Sequence, residues 1–308
     1  KTLRQAVSEP FREFVGRQRD MYKFIHDQTV RLMNYGYGPT EIAEAIVPPP
    51  ALARDWALRD YYGTVRHNVK AIYQRYLGWY DANPAHLDPL PPSRRAAKYV
   101  AYKGGADFDR GEYRWVVDAL NQVIFAEPRH AAARALQADA YEQLGYLTES
   151  STWRNAYLTA ATELRRGGPI PGPALLLSPD LLQALPLDRY FDLMGVRING
   201  DRARDKRLRV NWRFTDLKEQ YLVNLENSAL TWRVSSDLSD QAGADATVSL
   251  TRRTLDRITL RQTTFPAAVA AGEVRITGRG AALQELLGLL DPFHRDFDLV
   301  EPRKVNAP

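Results

Sequence analysis

The stretch RDYYGTVRHNVKAIYQRYLGWYDANP, residues 59–84, places one histidine, His67, among five tyrosines and a tryptophan. An imidazole titrates near neutral pH, so it can donate a proton or a hydrogen bond to a reacting group. The ring also has a structural interpretation, in which it is partly buried at an aromatic helix junction and satisfied by a backbone carbonyl. Taken alone, the stretch favours the structural interpretation.

The other histidines are scattered along the chain, and none of the five lies two to five residues from another. No H-x-H or H-E-x-x-H pair is present, so the sequence predicts no self-contained zinc site. We expect ordinary structural positions for the remaining four, which are His26 beside Asp27, His86 in a Pro-rich loop, His130 after Pro128 at a helix start, and His294.

Composition limits the classes of function. The 308 residues carry 42 Lys+Arg and 37 Asp+Glu, and the basic residues are interspersed with acids, so the net charge of +5 does not predict nucleic-acid binding. The absence of cysteine excludes disulfides and thiolate metal ligands. No apolar run approaches the roughly 20 residues of a membrane span. The N-terminal residues carry no signal-peptide pattern, so any export signal has been removed or lies outside this segment.

Residues 9–83 have the spacing of helices. Apolar positions recur at three and four, from Phe11, Phe14 and Val15 to Tyr22 and Ile25, and then to Thr29, Leu32 and Met33. Thr40 is predicted to cap a helix that begins at Glu41, with Glu44 near the reciprocal position. Consecutive prolines at 48–50 interrupt the helices. A further helix, VRHNVKAIYQRYLGWY, is predicted to begin after Thr64.

Residues 91–168 are predicted to form paired helices. Gly111 and Tyr113 precede one helix, Pro128 ends it, and the spacing is that of the second half of a tetratricopeptide unit. HAAARALQADAYEQLGY and STWRNAYLTAATEL form the next predicted pair. Such a unit needs about a dozen helical residues before Gly111. Only a few are present, so we expect that residues are missing near 106–108.

A Pro/Gly-rich linker at residues 169–178 separates this helical region, residues 1–168, from a second domain, residues 179–308. There RLRVNWRFTD, EQYLVNLENSALTWRV, ATVSLTR and VRITG alternate apolar and polar positions. TLDRITL, FPAAVAAG and GAALQELLGLL have helical spacing. The pattern predicts an α+β domain in which helices cover one face of a mostly antiparallel sheet.

The segments HDQTVRLMNYGYGPTEIAE, YYGTVRHNVKAIYQRYLGWYDANP, GEYRWVVDALNQVIFAEP and TWRNAYLTAATELR resemble the dimerisation domain of bacterial alkyl sulfatases of the metallo-β-lactamase superfamily. The segment from LSPDLLQALPLDRYFDLMGVRINGD to LLDPFHRDFDLVEP resembles their C-terminal domain, which is similar to sterol carrier protein 2. The resemblance implies a homodimer that hydrolyses alkyl sulfates such as dodecyl sulfate and is periplasmic or secreted.

The resemblance also implies zinc. Family members bind a pair of zinc ions through an H-x-H-x-D-H motif, two glutamates and a histidine in an H-H-W-P stretch. None of these motifs occurs here. We therefore expect this chain to be a C-terminal portion of the enzyme, without the zinc ligands and inactive alone.

The resemblance implies that the histidine of the G-T-x-x-H-N motif, His67, faces the sulfate group of the substrate and assists catalysis. Asn68 can add a neutral donor. Tyr80 can pack against the alkyl chain and reach an oxygen, and the other tyrosines compete equally for this role: Tyr61, Tyr62, Tyr73 and Tyr76.

Two alternative functions use the same elements. The α+β domain can enclose an apolar tunnel that binds an amphiphile, or its apolar side chains are ordinary core: Leu185, Leu187, Phe191, Leu286 and Leu290. The helical pairs can form a peptide-binding scaffold, although that needs about three stacked units.

Overall fold

The structure is a computed structural model that describes residues 3–61, 63–91, 94–95, 98–99, 105–171, 178–235, 243–293 and 296–302. Its contacts divide the chain into two compact units. The first comprises Lys1–Arg31, Ile42–Ile72 and Ala174–Pro292, and the second comprises Leu32–Glu41, Tyr73–Pro173 and Phe293–Pro308. Each unit therefore draws on both ends of the chain. No helix of the described residues is long and apolar enough to cross a membrane.

The first unit contains a five-stranded sheet in the order β3-β2-β1-β4-β5. Its strands are β1 Leu208–Phe214, β2 Glu219–Glu226, β3 Ala229–Ser235, β4 Ala246–Leu250 and β5 Arg275–Gly278. The β1–β4 pair is parallel and the other pairs are antiparallel. Asn227 and Ser228 both have positive φ, as a two-residue hairpin turn between β2 and β3 requires. The predicted α+β character is confirmed.

Alternation along the strands directs one face of the sheet into the core. Val210, Trp212 and Phe214 are fully buried, while Arg209, which precedes Val210 in β1, is exposed. Trp212 packs edge-to-face on Phe191 with ring centroids 5.8 Å apart. Leu187, Phe191 and Leu286 belong to this core, and Leu290 packs against it. These side chains are therefore packed in the core of the domain, which was the alternative to lining an amphiphile-binding tunnel.

The helices of the first unit follow the predicted boundaries closely. TLDRITL, FPAAVAAG and GAALQELLGLL contain the helices Arg252–Thr259, Phe265–Ala270 and Gly280–Gly288. Thr251 and Thr264 cap the first two, because each hydroxyl accepts a hydrogen bond from the backbone three residues later. The segment before β1 adds the helices Pro179–Ala184 and Leu187–Arg197.

The N-terminal helix α1, Leu3–Met33, contributes most of its length to the same unit as the sheet. Gly200 permits a close approach, since a Cβ there would lie 2.7 Å from the Gln28 side chain and 3.1 Å from Phe24. Gln28 Nε2 donates to the Ile198 carbonyl at 3.0 Å, and Gln28 Oε1 accepts from Gly200 N–H at 3.1 Å. These contacts make α1 part of the α/β unit.

Burial along α1 differs from the predicted single buried face. Ile25 and Thr29 are buried, as expected, but Phe11 is 66% exposed and Tyr22 is 71% exposed. Phe14 and Val15 are also exposed. The apolar period correctly predicts the helix, but only its C-terminal half is buried in the described chain.

Short elements connect α1 to the predicted functional stretch. They are α2 Pro39–Ala45, α3 Pro50–Ala53, a 3₁₀ turn at Trp56–Leu58 and α4 Val65–Leu77. The predicted start of α2 at Glu41 is wrong by two residues because Pro39 is compatible with the first helical position. Glu41, not Glu44, fills the reciprocal position, since its Oε2 accepts from Gly38 N–H at 2.7 Å.

The second unit is built from helices. After α5, Gly105–Asp109, come α6 Tyr113–Ala126, α7 Ala131–Leu147 and α8 Ser151–Arg166. Gly111 and Gly167 adopt left-handed φ before α6 and after α8, where glycine avoids Cβ strain. The predicted helices are confirmed. The expectation of missing residues near 106–108 stays a prediction, and residues 172–177 of the predicted linker lie outside the described residues.

Candidate functional site

His67 lies in the first turn of α4, and polar side chains fix that turn. Thr64 Oγ1 accepts a hydrogen bond from His67 N–H at 3.0 Å, and Asp60 Oδ1 accepts from Val65 N–H at 3.1 Å. The Asn68 N–H makes the first helical bond, to the Thr64 carbonyl at 2.9 Å. Two of the backbone donors that a helix start leaves unpaired are thereby satisfied.

The side chains around His67 anchor the turn without covering the ring. Arg66 Nη1 donates to Glu44 of α2 at 2.9 Å, and Val69 is fully buried. The His67 ring is exposed, which does not support the partly buried structural histidine. An accessible imidazole on a capped turn can meet a ligand that approaches the helix N-terminus, where the helix dipole favours negative charge.

Asn68 shares this turn with His67. Its side chain is partly buried, and its Oδ1 lies 3.4 Å from the position that a Cβ on Gly63 would occupy. The amide therefore packs against the backbone just before the helix. Because both amide hydrogens can donate, Asn68 can supply a neutral donor beside the imidazole.

Tyr80 lies after the end of α4, in the second compact unit. The predicted helix reached this residue, but α4 ends at Leu77, and Gly78 has a φ of 75°. The Tyr80 ring is partly buried and packs on Trp79, with centroids 5.8 Å apart. Burial, followed by the nearby Asp81 carboxylate, raises the pKa of Tyr80 well above its usual value. The phenol is protonated at neutral pH and can donate a hydrogen bond.

Burial distinguishes the competing tyrosines. Tyr73 is 3% exposed and belongs to a packed interior, whereas Tyr61 and Tyr76 are 69% and 55% exposed. Tyr62 lies outside the described residues. Among these described rings, Tyr80 is the one that is partly buried, and it packs against the core of the second unit.

The sequence interpretation missed a pair of titratable groups in the second unit. His86 Nδ1 and Asp81 Oδ2 are 2.7 Å apart. The hydrogen bond to Asp81 raises the pKa of His86, although burial opposes it. For Asp81, burial raises the pKa, but the hydrogen bond and charge of His86 outweigh it, so the net shift is downward. The signal in the sequence was that Asp81 and His86 are five residues apart, with Pro84 between them to turn the chain.

The turn that carries this pair is fixed by Asn83. Asn83 Nδ2 donates to Asn121 Oδ1 of α6 at 3.0 Å, and Asn83 Oδ1 accepts from Ala85 N–H at 3.0 Å. Ala82 adopts a φ of 69°, a left-handed conformation that is uncommon for alanine. The segment from Tyr80 to His86 is thus held against α6 by buried amide contacts.

The remaining described histidines have local structural partners, as expected. His26 Nδ1 lies 2.8 Å from Asp27 Oδ1. His130 caps α7, because its Nδ1 accepts from Ala133 N–H at 3.2 Å. His294 lies outside the described residues. Among the residues that the structure describes, no group of three or more His, Cys, Asp or Glu side chains could hold a metal ion.

Comparisons with known proteins match both regions of the chain. Residues 38–167 match the family described as alkyl sulfatase dimerisation, and residues 176–302 match the family described as alkyl sulfatase C-terminal. The chain belongs to the alkyl sulfatase family, through these two regions. The predicted resemblance is confirmed.

Individual alkyl sulfatases are similar over nearly the whole chain. An alkyl/aryl-sulfatase of Saccharomyces cerevisiae is 46% identical over 94% of this chain and 45% of its own length. A linear primary-alkylsulfatase of a Pseudomonas species is 45% identical over 94% of this chain and 44% of its own length. The chain thus spans less than half of these curated relatives.

A solved structure gives the same assignment. The structure of a stereoselective inverting sec-alkylsulfatase from a Pseudomonas species is 43% identical, with a TM-score of 0.59. The similarity covers 96% of this chain and 47% of that one. The helical region followed by an α/β domain with a mixed five-stranded sheet is therefore an alkyl sulfatase architecture.

Proposed function

We propose that this chain supplies the dimerisation and C-terminal regions of an enzyme that hydrolyses alkyl sulfate esters, such as dodecyl sulfate, to an alcohol and sulfate. The observation that carries the proposal is the match of residues 38–167 and 176–302, in that order, to the two alkyl sulfatase families. The relatives named as alkyl/aryl-sulfatase and linear primary-alkylsulfatase support the same reaction class.

In this proposal His67 faces the sulfate group of the substrate. The capped first turn of α4 holds the imidazole in an accessible position. A protonated ring that donates to a sulfate oxygen offsets negative charge as the ester bond breaks. Such an interaction strengthens as charge develops, so it lowers the barrier more than it improves substrate binding.

Asn68 and Tyr80 have supporting roles in the proposal. The Asn68 amide is a neutral donor on the same turn as His67, so it can orient a sulfate oxygen. Tyr80 offers a protonated hydroxyl and an apolar ring, which suits the junction between a sulfate group and an alkyl chain.

The family implies zinc, but the described residues of this chain do not fit a zinc site. They contain no cluster of three or more candidate ligands, and zinc sites are built from three or four such side chains. The proposal therefore assigns the zinc ligands to residues other than these, and no step of catalysis is assigned here to the metal.

A homodimer is part of the proposal, supported by the dimerisation-family match. Between residues 11 and 22, α1 carries exposed Phe11, Phe14, Val15 and Tyr22, which recur at helical spacing and form one stripe. Exposed apolar stripes of this kind mark interaction surfaces. In a twofold dimer the same patch can meet its own copy.

The finer description of the fold is also proposed. The helices α6, α7 and α8 have the hairpin connections of a tetratricopeptide-like array, with Gly145 of α7 in close approach to Leu158 of α8. The sheet with helices on its apolar face supports a sterol-carrier-protein-2-like domain.

Sulfate release from dodecyl sulfate tests the proposed function. The chain alone, supplied with zinc, should release no sulfate, while a complete alkyl sulfatase that contains it should. Turnover by the chain alone would contradict the placement of the zinc ligands. A complete enzyme that leaves alkyl sulfates intact would overturn the proposed reaction.

A further inference from the structure

The last described segment of the chain, residues 296–302, packs on the helices of the second unit. By sequence it ends the match to the alkyl sulfatase C-terminal family, but by its contacts it belongs to the unit that contains α6, α7 and α8. Val300 is fully buried in the core cluster that these helices build, and Leu299 packs against the same cluster. The segment is thus held by residues that lie 136 to 167 positions earlier in the chain.

One carboxylate binds the backbone of this segment. Glu163 of α8 accepts hydrogen bonds from Leu299 N–H at 2.9 Å and from Val300 N–H at 2.8 Å. The Glu163 side chain is buried in the last turn of α8, where burial and the helix dipole both disfavour a negative charge. The two amide donors offset that cost. The position of Glu163 is therefore explained by the segment that it binds rather than by the stability of α8.

An arginine of α7 binds the acidic side chain of the segment. Arg134 Nη2 donates to Glu301 Oε1 at 2.6 Å, and each of the two side chains is 14% exposed. The same guanidinium donates to the Leu164 carbonyl at 2.7 Å and to the Pro128 carbonyl at 3.0 Å. These carbonyls belong to α8 and to the turn before α7, so they hold the cation in place independently of the segment. Such preorganisation lowers the entropic cost of binding.

The three kinds of contact are those of peptide recognition, in which backbone hydrogen bonds fix the ligand and side-chain contacts select its sequence. We propose that the α7–α8 hairpin is a recognition site for a peptide with the pattern Leu-Val-Glu, and that residues 299–301 of this chain occupy it as a ligand. The binding role of α7 and α8 is distinct from the proposed hydrolysis. It fastens the end of the C-terminal family region to helices of the dimerisation family region.

A fluorescent peptide of residues 296–302, with blocked termini, tests this inference. In the full chain, Val300→Asp should displace the tethered segment, because a carboxylate would otherwise be buried in the apolar cluster. The vacated site should then bind the peptide saturably, as measured by fluorescence anisotropy. The parent chain should bind it at least about tenfold more weakly, because its own segment competes at an effective concentration on the order of 1 mM.

Changes in the site test which contacts are recognised. In the Val300→Asp chain, adding Glu163→Ala or Arg134→Gln should weaken peptide binding by about tenfold to a hundredfold, the range for charge-assisted hydrogen bonds. Arg165→Gln is the matched control, because Arg165 is an exposed arginine of α8 that pairs with Asp139. Adding this change should leave peptide binding unaltered. A peptide that carries Val300→Asp itself should not bind.

Amide exchange in the parent chain gives a second measurement, which does not depend on the fold of Val300→Asp. A docked ligand can leave while α7 and α8 stay folded, so the Leu299 and Val300 amides should be protected at least about tenfold less than interior amides of α8. Equal protection would show that the segment is an integral part of the core and would overturn the proposal.

The peptide experiment has its own contrary outcomes. Circular dichroism verifies that the Val300→Asp chain keeps its helices. A folded Val300→Asp chain that does not bind the peptide would overturn the assignment, as would equal binding by this variant and the parent. Peptide binding that Arg134→Gln and Arg165→Gln weaken equally would place the peptide elsewhere on the chain.

Discussion

Arg31 Nη1 donates a hydrogen bond of 2.6 Å to Asp291 Oδ2, although 260 positions separate the two residues. Their side chains are 6% and 0% exposed, so the pair is buried. Asn199 Nδ2 lies 3.2 Å from the same carboxylate oxygen, and Arg31 Nε donates to Gln28 Oε1 at 2.8 Å. The pair fixes α1 to the sheet-containing unit. α1 therefore belongs to this unit although it lies outside residues 176–302, the range of the C-terminal family match.

Arg31→Met should strongly destabilise that unit. The change removes the buried cation beside Asp291 and leaves only the half-exposed Arg202, 3.8 Å from Oδ1, which costs about 3–5 kcal/mol of the free energy of unfolding. Urea denaturation followed by tryptophan fluorescence measures the loss. Arg257→Met is the control, because the Arg257–Glu273 pair in the same unit is 38% and 35% exposed and should contribute about 0–1 kcal/mol. Equal effects of the two changes would contradict a structural role for the buried pair.

Glu163→Ala should release the C-terminal segment of the second unit. The buried Glu163 carboxylate accepts from Leu299 N–H at 2.9 Å and from Val300 N–H at 2.8 Å. Loss of the acceptor should lower the free energy of unfolding by about 1–3 kcal/mol and speed amide exchange at both residues. Glu142→Ala removes an exposed partner of Arg165 and should leave exchange at Leu299 and Val300 unchanged.

The Asp81–His86 pair should give the second unit a pH-dependent stability. Because the pKa of Asp81 is lowered, its carboxylate stabilises the fold at pH values above 3.8, the ordinary pKa of the group. This stabilisation is lost as the pH falls through the lowered pKa. Because the pKa of His86 is raised, its charged ring stabilises the fold at pH values below 6.5, the ordinary pKa of the group. This stabilisation is lost as the pH rises through the raised pKa. The pair therefore contributes most between these two pH values.

His86→Gln tests that dependence, because glutamine keeps a hydrogen bond to Asp81 but carries no charge. The difference in melting temperature from the parent should be largest near pH ~5 and should shrink above pH ~7. Both side chains are partly exposed, so the corresponding loss of the free energy of unfolding should stay below about 1 kcal/mol. His67→Gln, at an exposed ring with no carboxylate partner among the described residues, is the control. A constant difference across the pH range would exclude the ion pair.

The proposed dimer predicts a sedimentation result. The chain should sediment as a dimer at micromolar concentration, because the α1 stripe exposes Phe11 and Tyr22. The double change Phe11→Glu and Tyr22→Glu should shift the chain toward the monomer, since two charges would be buried in each copy of the interface. Lys70→Glu, at an exposed position of α4, should leave the mass unchanged. A parent chain that is already monomeric would refute the assembly.

Local signals explain which elements the sequence predicts. Gly111, Pro128 and Gly167 mark helix ends through their own backbone limits, so α6 and α8 are found nearly to the residue. The attachment of α1 to the sheet-containing unit has no such signal, because it depends on the distant pair Arg31–Asp291.

The candidate site shows the same limit. The sequence predicts a helix start after Thr64, and the structure confirms it and shows that the Thr64 hydroxyl caps the first turn. Helical periodicity cannot decide that the His67 ring is exposed, since exposure depends on which other elements pack beside the turn. The pairing of Asp81 with His86 was missed because a 3₁₀ turn, rather than a regular helix, brings them together.

His67→Ala should separate a catalytic from a structural role in a complete alkyl sulfatase. If the imidazole assists departure of the sulfate, the change should lower kcat by on the order of 100- to 10,000-fold and raise KM far less, because the interaction strengthens as charge develops. The melting temperature should change little, since the ring is exposed. Initial rates of sulfate release at several dodecyl sulfate concentrations give both constants.

His67→Gln identifies which property of the ring matters. Glutamine can donate a hydrogen bond from a similar position but cannot titrate, so a proton-donor role predicts a low kcat and the loss of one limb of the pH profile. His26→Gln is the control, because His26 lies on α1 and contacts Asp27, and the kcat of this variant should match that of the parent. A fully active His67→Gln enzyme with the parent pH profile would exclude proton donation and leave His67 as a neutral donor beside Asn68.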